Sequence, residues 1–322
     1  MHERPEAVSA NSVCRILSLD GGGAKGFYTL GVLKEIEALV GRPLHENFDL
    51  IFGTSTGGII AALLALGYNV DAIHKLYEQH VPTVMRNSLP AGRSNALSEL
   101  AQTIFGARTF TDVKTGIGIV ATRWDFEKPM IFKNDIAQAH GRQHTFVPGF
   151  GCSIADAVIA SCSAYPFFEK HIIKMGDGSD VPVIDGGYCA NNPTLYAIAD
   201  AIKALKKNYS DLRVVSIGVG NYPQPKRRIT PNSVWVWCVK RAVGWTALQL
   251  LQKTLDINTA SMEQLRDILF REIAAVRVND TYQQPEMATD LLEHDLKKLG
   301  TLYQRGRESF AKHEVALRHL LA

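Results

Sequence analysis

Gly53-Thr54-Ser55-Thr56-Gly57 sets a serine between two glycines, each two residues away. With this spacing a serine occupies a sharp strand-to-helix turn that tolerates little beside it except glycine, and its hydroxyl is pushed clear of the sheet edge. Attack on an acyl carbon becomes sterically open, and the dipole of the following helix favours the negative charge that develops. The hydroxyl still needs a base to take its proton. Three histidines, His294, His313 and His319, lie in a charged helical tail, where a solvated surface role is the ordinary one. Asp185 in VIDGGYCANNP is the better candidate: it ends an apolar run, and Gly186 and Gly187 let the chain turn without covering the carboxylate. A strand-end aspartate shares a sheet edge with a strand-end turn such as that of Ser55. To act as a base it must be partly desolvated and close to the serine; its bland alternative is a helix cap or Asx-turn.

A second glycine cluster, Gly21-Gly22-Gly23-Ala24-Lys25-Gly26, follows the apolar run RILSL and precedes a helical pattern. Such a turn offers unpaired amides at the positive end of a helix dipole. It satisfies the dinucleotide fingerprint G-x-G-x-x-G, which also wants an acidic residue closing the second strand; here that strand runs into GTSTGG. A P-loop is excluded because Lys25 is followed by Gly26. With a nucleophile in view, the amides of Gly22, Gly23 and Ala24, with Gly21 beside them and Thr56 as a further donor, suit the oxyanion of a tetrahedral intermediate. Lys25 reads equally as an anchor of the loop and as a solvated cation.

The elements that must carry these residues alternate. Residues 15–19 and 48–52 are short apolar runs, each ended by a glycine turn. Leu30, Leu33, Ile36 and Val40 then recur at helical spacing, and IIAALLAL is apolar all round. Further strands are expected at GIGIVAT from Gly116, PMIF from Pro129, VPVID ending at Asp185, LRVVSIGVG from Leu212 and IAAVRV from Ile273, with helices through 71–80, 153–163 and 194–207. This pattern predicts an α/β layered domain. Between Val84 and Thr111 it weakens, and NSLPAGRSN reads as an exposed, mobile segment suited to a lid.

At 322 residues, 46% hydrophobic and 21% charged, the chain has the composition of an ordinary globular protein. A formal charge of +3 argues against a dedicated DNA or RNA binder. No apolar run reaches the length of a bilayer span and the start carries no secretory core, so a cytoplasmic protein is expected. Five scattered cysteines lack metal-ligand spacing, and no metal is expected.

Together DGGGAKG, GTSTGG and DGG, in that order, resemble the patatin-like phospholipases, and ASCSAYPFF and the RVND…MATD region are similar to further segments of that family. The resemblance covers most of residues 13–305. It implies a three-layer α/β/α fold with a mostly parallel central sheet, Ser55 as nucleophile, Asp185 as its base, the Gly21–Gly26 turn as oxyanion hole, and Gly53, Gly57, Gly186 and Gly187 as support. Lys25 and Gly187 depart from the arginine and alanine usual at those positions. Overall resemblance to bacterial antiphage effectors within the family implies a membrane phospholipid substrate, a cyclic dinucleotide activator, no other cofactor, action as a peripheral protein at the inner membrane, and a homo-oligomer on activation. Lys226, Arg227, Arg228, Lys240 and Arg241 form a basic stretch that could meet a nucleotide phosphate, an anionic headgroup or only water. The division expected is a flexible 1–12, a catalytic domain over 13–305 with a helical, tryptophan-bearing insertion at about 229–270, and a C-terminal helix over 306–322. The alternatives are a Ser-His-Asp lipase or esterase without nucleotide control, and a dinucleotide-binding protein.

Overall fold

Strand β1 (Cys14–Leu19) shows why the centre of the fold is a sheet covered on both faces: four of its six residues are apolar and nearly all are buried. Leu17 and Leu19 join one core, with Leu30, Leu33 and Ile60, whereas Cys14 and Ile16 join another, with Ala197 and Ile198. The period of two thus feeds two helical layers from one strand. The computed structural model describes residues 13–223 and 235–322, with the stretch 235–248 described by its backbone alone.

After β1 come α1 (Gly26–Val40), the short α2 (Leu44–Asn47), β2 (Leu50–Thr54), α3 (Thr56–Ala65), α4 (Val70–Arg86), α5 (Pro90–Phe105), β3 (Gly116–Arg123) and β4 (Lys128–Lys133). The chain continues through α6 (Ile154–Cys162), β5 (His171–Lys174), β6 (Asp180–Asp185), the one-turn α7 (Gly187–Ala190), α8 (Thr194–Ala199), β7 (Leu212–Ile217), α9 (Trp235–Leu269), β8 (Ala274–Val278) and α10 (Leu296–Leu321). The sheet order is β5-β6-β3-β2-β1-β7-β8, with β4 also paired to β3. Four strand pairs, β1 with β2, β1 with β7, β2 with β3 and β7 with β8, are parallel. The pairs β3–β4, β3–β6 and β5–β6 are antiparallel. The fold is therefore the expected α/β/α sandwich, with a mixed sheet that is parallel from β3 to the β8 edge and antiparallel on the β5–β6 side.

One expectation is corrected. NSLPAGRSN stays largely open to solvent, with Leu89 71% exposed, but its weak pattern hides regular structure: α4 runs on to Arg86, and Pro90 opens α5. Arg93, Leu97, Ala101 and Phe105, four residues apart, are all buried along one side of α5. Strand β5 lacks a clear signal of its own; its HIIK is short and ends in charge, and it is a strand because β6 pairs with it from His171↔Val183 to Lys174↔Asp180. Helix α10 crosses residues 305 and 306 without interruption and lies along α1, where Arg307 Nε meets Glu35 Oε1 at 2.5 Å. Residues 1–12 and Lys226, Arg227 and Arg228 lie outside the described residues, as do the side chains of Lys240 and Arg241, which fall within α9.

Candidate active site

Ser55 is the residue between β2 and α3, with φ 52° and ψ −124°. A serine with positive φ is strained, and here surrounding bonds hold it. Its carbonyl accepts from the amides of Gly58 (2.8 Å) and Ile59 (3.1 Å), the first bonds of α3. Its own amide donates to Ser161 Oγ at 2.8 Å, and Ser161 in turn donates to the Val120 carbonyl at 2.6 Å. The turn also demands close backbone approach: a Cβ on Gly53 would run into the Gly57 carbonyl, and one on Gly57 into that of Leu19. The two glycines of the motif are therefore explained by sterics.

Asp185 closes β6, two strands from Ser55 across the sheet, because β3 pairs with both β2 and β6. It is 3% exposed. The Gly187 amide donates to Oδ1 at 2.6 Å, and Ser55 lines the same pocket as the carboxylate. Burial pushes the Asp185 carboxyl up to about 6, and the Gly187 and Ser55 donors hold back part of that rise. Cys162 lines the same pocket, and burial raises its thiol well above its ordinary range, so it stays protonated beside the carboxylate.

Of the glycine turn, only part is open. The Gly21 amide donates to the Asn191 carbonyl and that of Ala24 to the Leu291 carbonyl, both at 3.0 Å, so neither is free for an oxyanion. Among the described residues the amides of Gly22, Gly23 and Thr56 have no acceptor, and all three residues line the same pocket as Ser55 and Asp185. Gly23 has φ +56°, and a Cβ there would strike the Leu291 carbonyl. Lys25 is not solvated: it is 2% exposed, and burial pulls its ammonium below the ordinary lysine range against the opposing pull of Asp256 and Asp290. Gly26 begins α1, and Gly186 and Gly187 turn the chain into α7.

Several groups that fix this loop are not marked out by the sequence. Asn191 Nδ2 donates to the Gly21 carbonyl (3.2 Å) and to Thr259 Oγ1 (2.8 Å). Asp20, just before the glycines, is buried and takes two bonds from the Arg277 guanidinium, at 3.0 and 2.5 Å. Tyr77 donates to the Thr56 carbonyl at 2.9 Å. Asp20, Asn191 and Arg277 sit inside segments quoted above, DGGGAKG, VIDGGYCANNP and RVND, yet no spacing there shows that they meet at this loop.

The pocket has an empty volume of about 720 Å³ out to its mouth. Ile59, Val84, Leu97, Phe167, Leu251 and Leu255 make it a greasy channel down to Ser55, and none of the tail histidines lines it. His294 is exposed, its Nδ1 3.2 Å from the Leu292 carbonyl, and His319 lies by Arg15 and Ala322 instead. Among the described residues no group of three or more His, Cys, Asp or Glu side chains is placed to hold a metal ion. A strained serine, a buried carboxylate, open amides and an apolar channel can attack an ester of a long-chain acyl group, accept the proton and hold the oxyanion.

Fold and site are those of a lipid acyl hydrolase. The chain belongs to the patatin-like phospholipases, whose family model matches residues 17–198. It is 62% identical over 311 residues to a cUMP-AMP-activated phospholipase of Escherichia coli, an alignment covering 97% of this chain and 95% of that one. It is 28% identical to a cGAMP-activated phospholipase of E. coli strain TW11681, over 83% of this chain and 78% of the relative. A cGAMP-activated phospholipase of Vibrio cholerae is likewise 28% identical, over 96% and 93% of the two chains.

Proposed function

We propose that this enzyme cleaves fatty-acyl esters of membrane phospholipids through a Ser55–Asp185 dyad and is switched on by a cyclic dinucleotide in defence against phage. The observation that carries the catalytic part is the buried Asp185 carboxylate sharing one apolar channel with the strained Ser55. Asp185 takes the hydroxyl proton as Ser55 Oγ attacks the ester carbonyl. The Gly22, Gly23 and Thr56 amides receive the oxyanion, each such donor being worth about 2.7–4 kcal/mol. Collapse expels the lysolipid alkoxide, which takes the proton back from Asp185; a water deprotonated by Asp185 then clears the acyl-enzyme. Activation is supported by what the relatives are named for, cUMP-AMP and cGAMP. On this reading the protein works from the cytoplasm as a peripheral protein at the inner membrane, and self-assembly accompanies activation. Among the described residues no helix is long and apolar enough to cross a membrane.

The test is fatty-acid release from vesicles of phosphatidylethanolamine and phosphatidylglycerol with a panel of cyclic dinucleotides, cUMP-AMP and cGAMP included. Release by the wild type with at least one of them, lost in Ser55→Ala together with fluorophosphonate labelling, is the expected result. No release with any of them, or equal release by Ser55→Ala, refutes the proposal.

A further inference from the structure

Beside the segment that gives Ala164, Phe167 and Phe168 to the channel, two aromatic rings and a lysine form a cluster with no part in the chemistry above. Trp124 follows β3, its amide held by the Pro182 carbonyl at 2.9 Å, which sets it beside β6, the strand that ends at Asp185. Tyr165 lies between Ala164 and Phe167, both of which line the channel. Its carbonyl accepts from the Tyr188 hydroxyl, one residue beyond the Gly187 amide that holds Asp185. The two ring centroids are 5.9 Å apart and tilted by 59°. Both side chains stay open to solvent, Trp124 at 43% and Tyr165 at 41% exposure.

Lys170 places its ammonium 3.6 Å over the Trp124 ring and 5.0 Å over that of Tyr165. The ring faces attract the cation but leave it formally uncompensated, and among the described residues Lys170 makes no ion pair. A second cation grips the same segment from below. Arg93 is 8% exposed, and its guanidinium donates to the carbonyls of Phe167 (2.9 Å) and Ser88 (3.4 Å), with no carboxylate partner among the described residues. It lies one helical turn before Leu97, on the side of α5 that meets the channel. Ser94 Oγ, next to it, accepts from the Glu169 amide at 2.8 Å. Asp125, the acid nearest in sequence to Trp124, is engaged by Arg123 at 2.8 Å.

Two cations without counter-ions beside an apolar channel favour an anion at the channel's mouth. Tryptophan and tyrosine settle at the level of lipid headgroups, and a lysine stem can follow them with its ammonium toward phosphate. The geometry points to Trp124, Tyr165 and Lys170 as a headgroup rim, in which the Lys170 ammonium binds the phosphodiester of a bilayer phospholipid while the two rings seat in the interface. The assignment rests on the phospholipase reading: with an acyl chain in the channel and its ester at Ser55, the phosphate is the part of the substrate left outside. Arg93 acts as a positioning residue, holding the 167–169 segment and adding positive field.

The test compares Lys170→Gln, Lys170→Arg, Trp124→Ala and, as a remote loss of the same charge, Lys297→Gln. Flotation with phosphatidylethanolamine–phosphatidylglycerol vesicles is measured in a Ser55→Ala background, so that binding is read without turnover. Initial rates are measured on the same vesicles in otherwise wild-type protein at saturating activator. Loss of one charge-assisted bond is expected to lower vesicle affinity and raise the apparent KM about tenfold in Lys170→Gln, with kcat at saturating lipid within about twofold. Trp124→Ala is expected to follow it, whereas Lys170→Arg stays within about threefold of the parent and Lys297→Gln matches the parent. Unchanged flotation by the Lys170→Gln protein overturns the rim, as does an equal loss with Lys297→Gln. If flotation is unchanged but the cyclic dinucleotide concentration for half-activation rises, the cluster serves the activator and the lipid assignment is wrong. Flotation that falls as expected in a protein that hydrolyses no ester upholds the rim and refutes the phospholipase reading instead.

Discussion

Asp185→Asn should make the protein more stable at pH 8 while removing its activity, because the same burial that would fit Asp185 to act as the proposed base also destabilises its charged form. In the folded protein the carboxyl titrates near 6, against an ordinary value near 4 in an unfolded chain. A folded value raised above the unfolded one means that the folded state holds the proton more tightly. The favourable contribution is complete below about pH 4 and is lost as pH rises through about 6. Roughly two pH units correspond to about 3 kcal/mol, so at pH 8 the ionised Asp185 opposes folding by an amount of that order. Asparagine removes the charge yet keeps an oxygen for the Gly187 amide. Urea denaturation of the two proteins at pH 8 and pH 4 should show a gain of about 3 kcal/mol for the variant at the higher pH and none at the lower. Kinetics supply the other half. With Asp185 as base, kcat/KM for a soluble p-nitrophenyl ester should fall about tenfold per pH unit below 6 and level off above 7, and Asp185→Asn should lose a factor of about 10²–10⁴. A flat profile between pH 5 and 8, or an Asp185→Asn protein that is less stable at pH 8 and still active, would refute the reasoning.

Gly23→Ala sets a side chain against the Leu291 carbonyl at a residue with φ +56°, so the open amides beside it shift. We expect kcat/KM to drop by about a hundredfold or more, measured on the same soluble ester, with fluorophosphonate labelling slowed but not abolished. Asp20→Asn removes the nearer of the two carboxylates facing the buried Arg277 guanidinium and leaves only Glu263, 3.6 Å from Nε, which should cost about 3 kcal/mol in urea denaturation. A loss below about 1 kcal/mol would mean that the pair does not anchor the glycine turn.

Much of the site was legible in the chain because its chemistry is written in short local patterns. The serine turn needs Gly53 and Gly57 for reasons of backbone contact within a few residues, and Asp185 ends its strand with two glycines behind it. The alternation of β1 and β2 with α1 and α3 was equally local, since hydrophobic period records which faces are covered. NSLPAGRSN misled because its small and polar residues mask an apolar spacing of four that begins at a buried arginine. Nothing in a sequence announces that an arginine will be buried, since its environment comes from distant segments: Phe167, whose carbonyl it holds, is 74 residues away.

The amino-acid sequence by itself determined the serine turn, the strand-end carboxylate, the glycine-rich bend and the layered α/β plan. Each of these is a matter of a few neighbouring residues and their steric limits. Only the tertiary structure decided which amides of the bend are open, because those of Gly21 and Ala24 are taken by carbonyls far along the chain, at Asn191 and Leu291. It alone decided that Lys25 is buried, and that Trp124, Tyr165 and Lys170 meet in one cluster. Hydrogen-bond supply, burial and charge compensation depend on which parts of the chain fold back against one another.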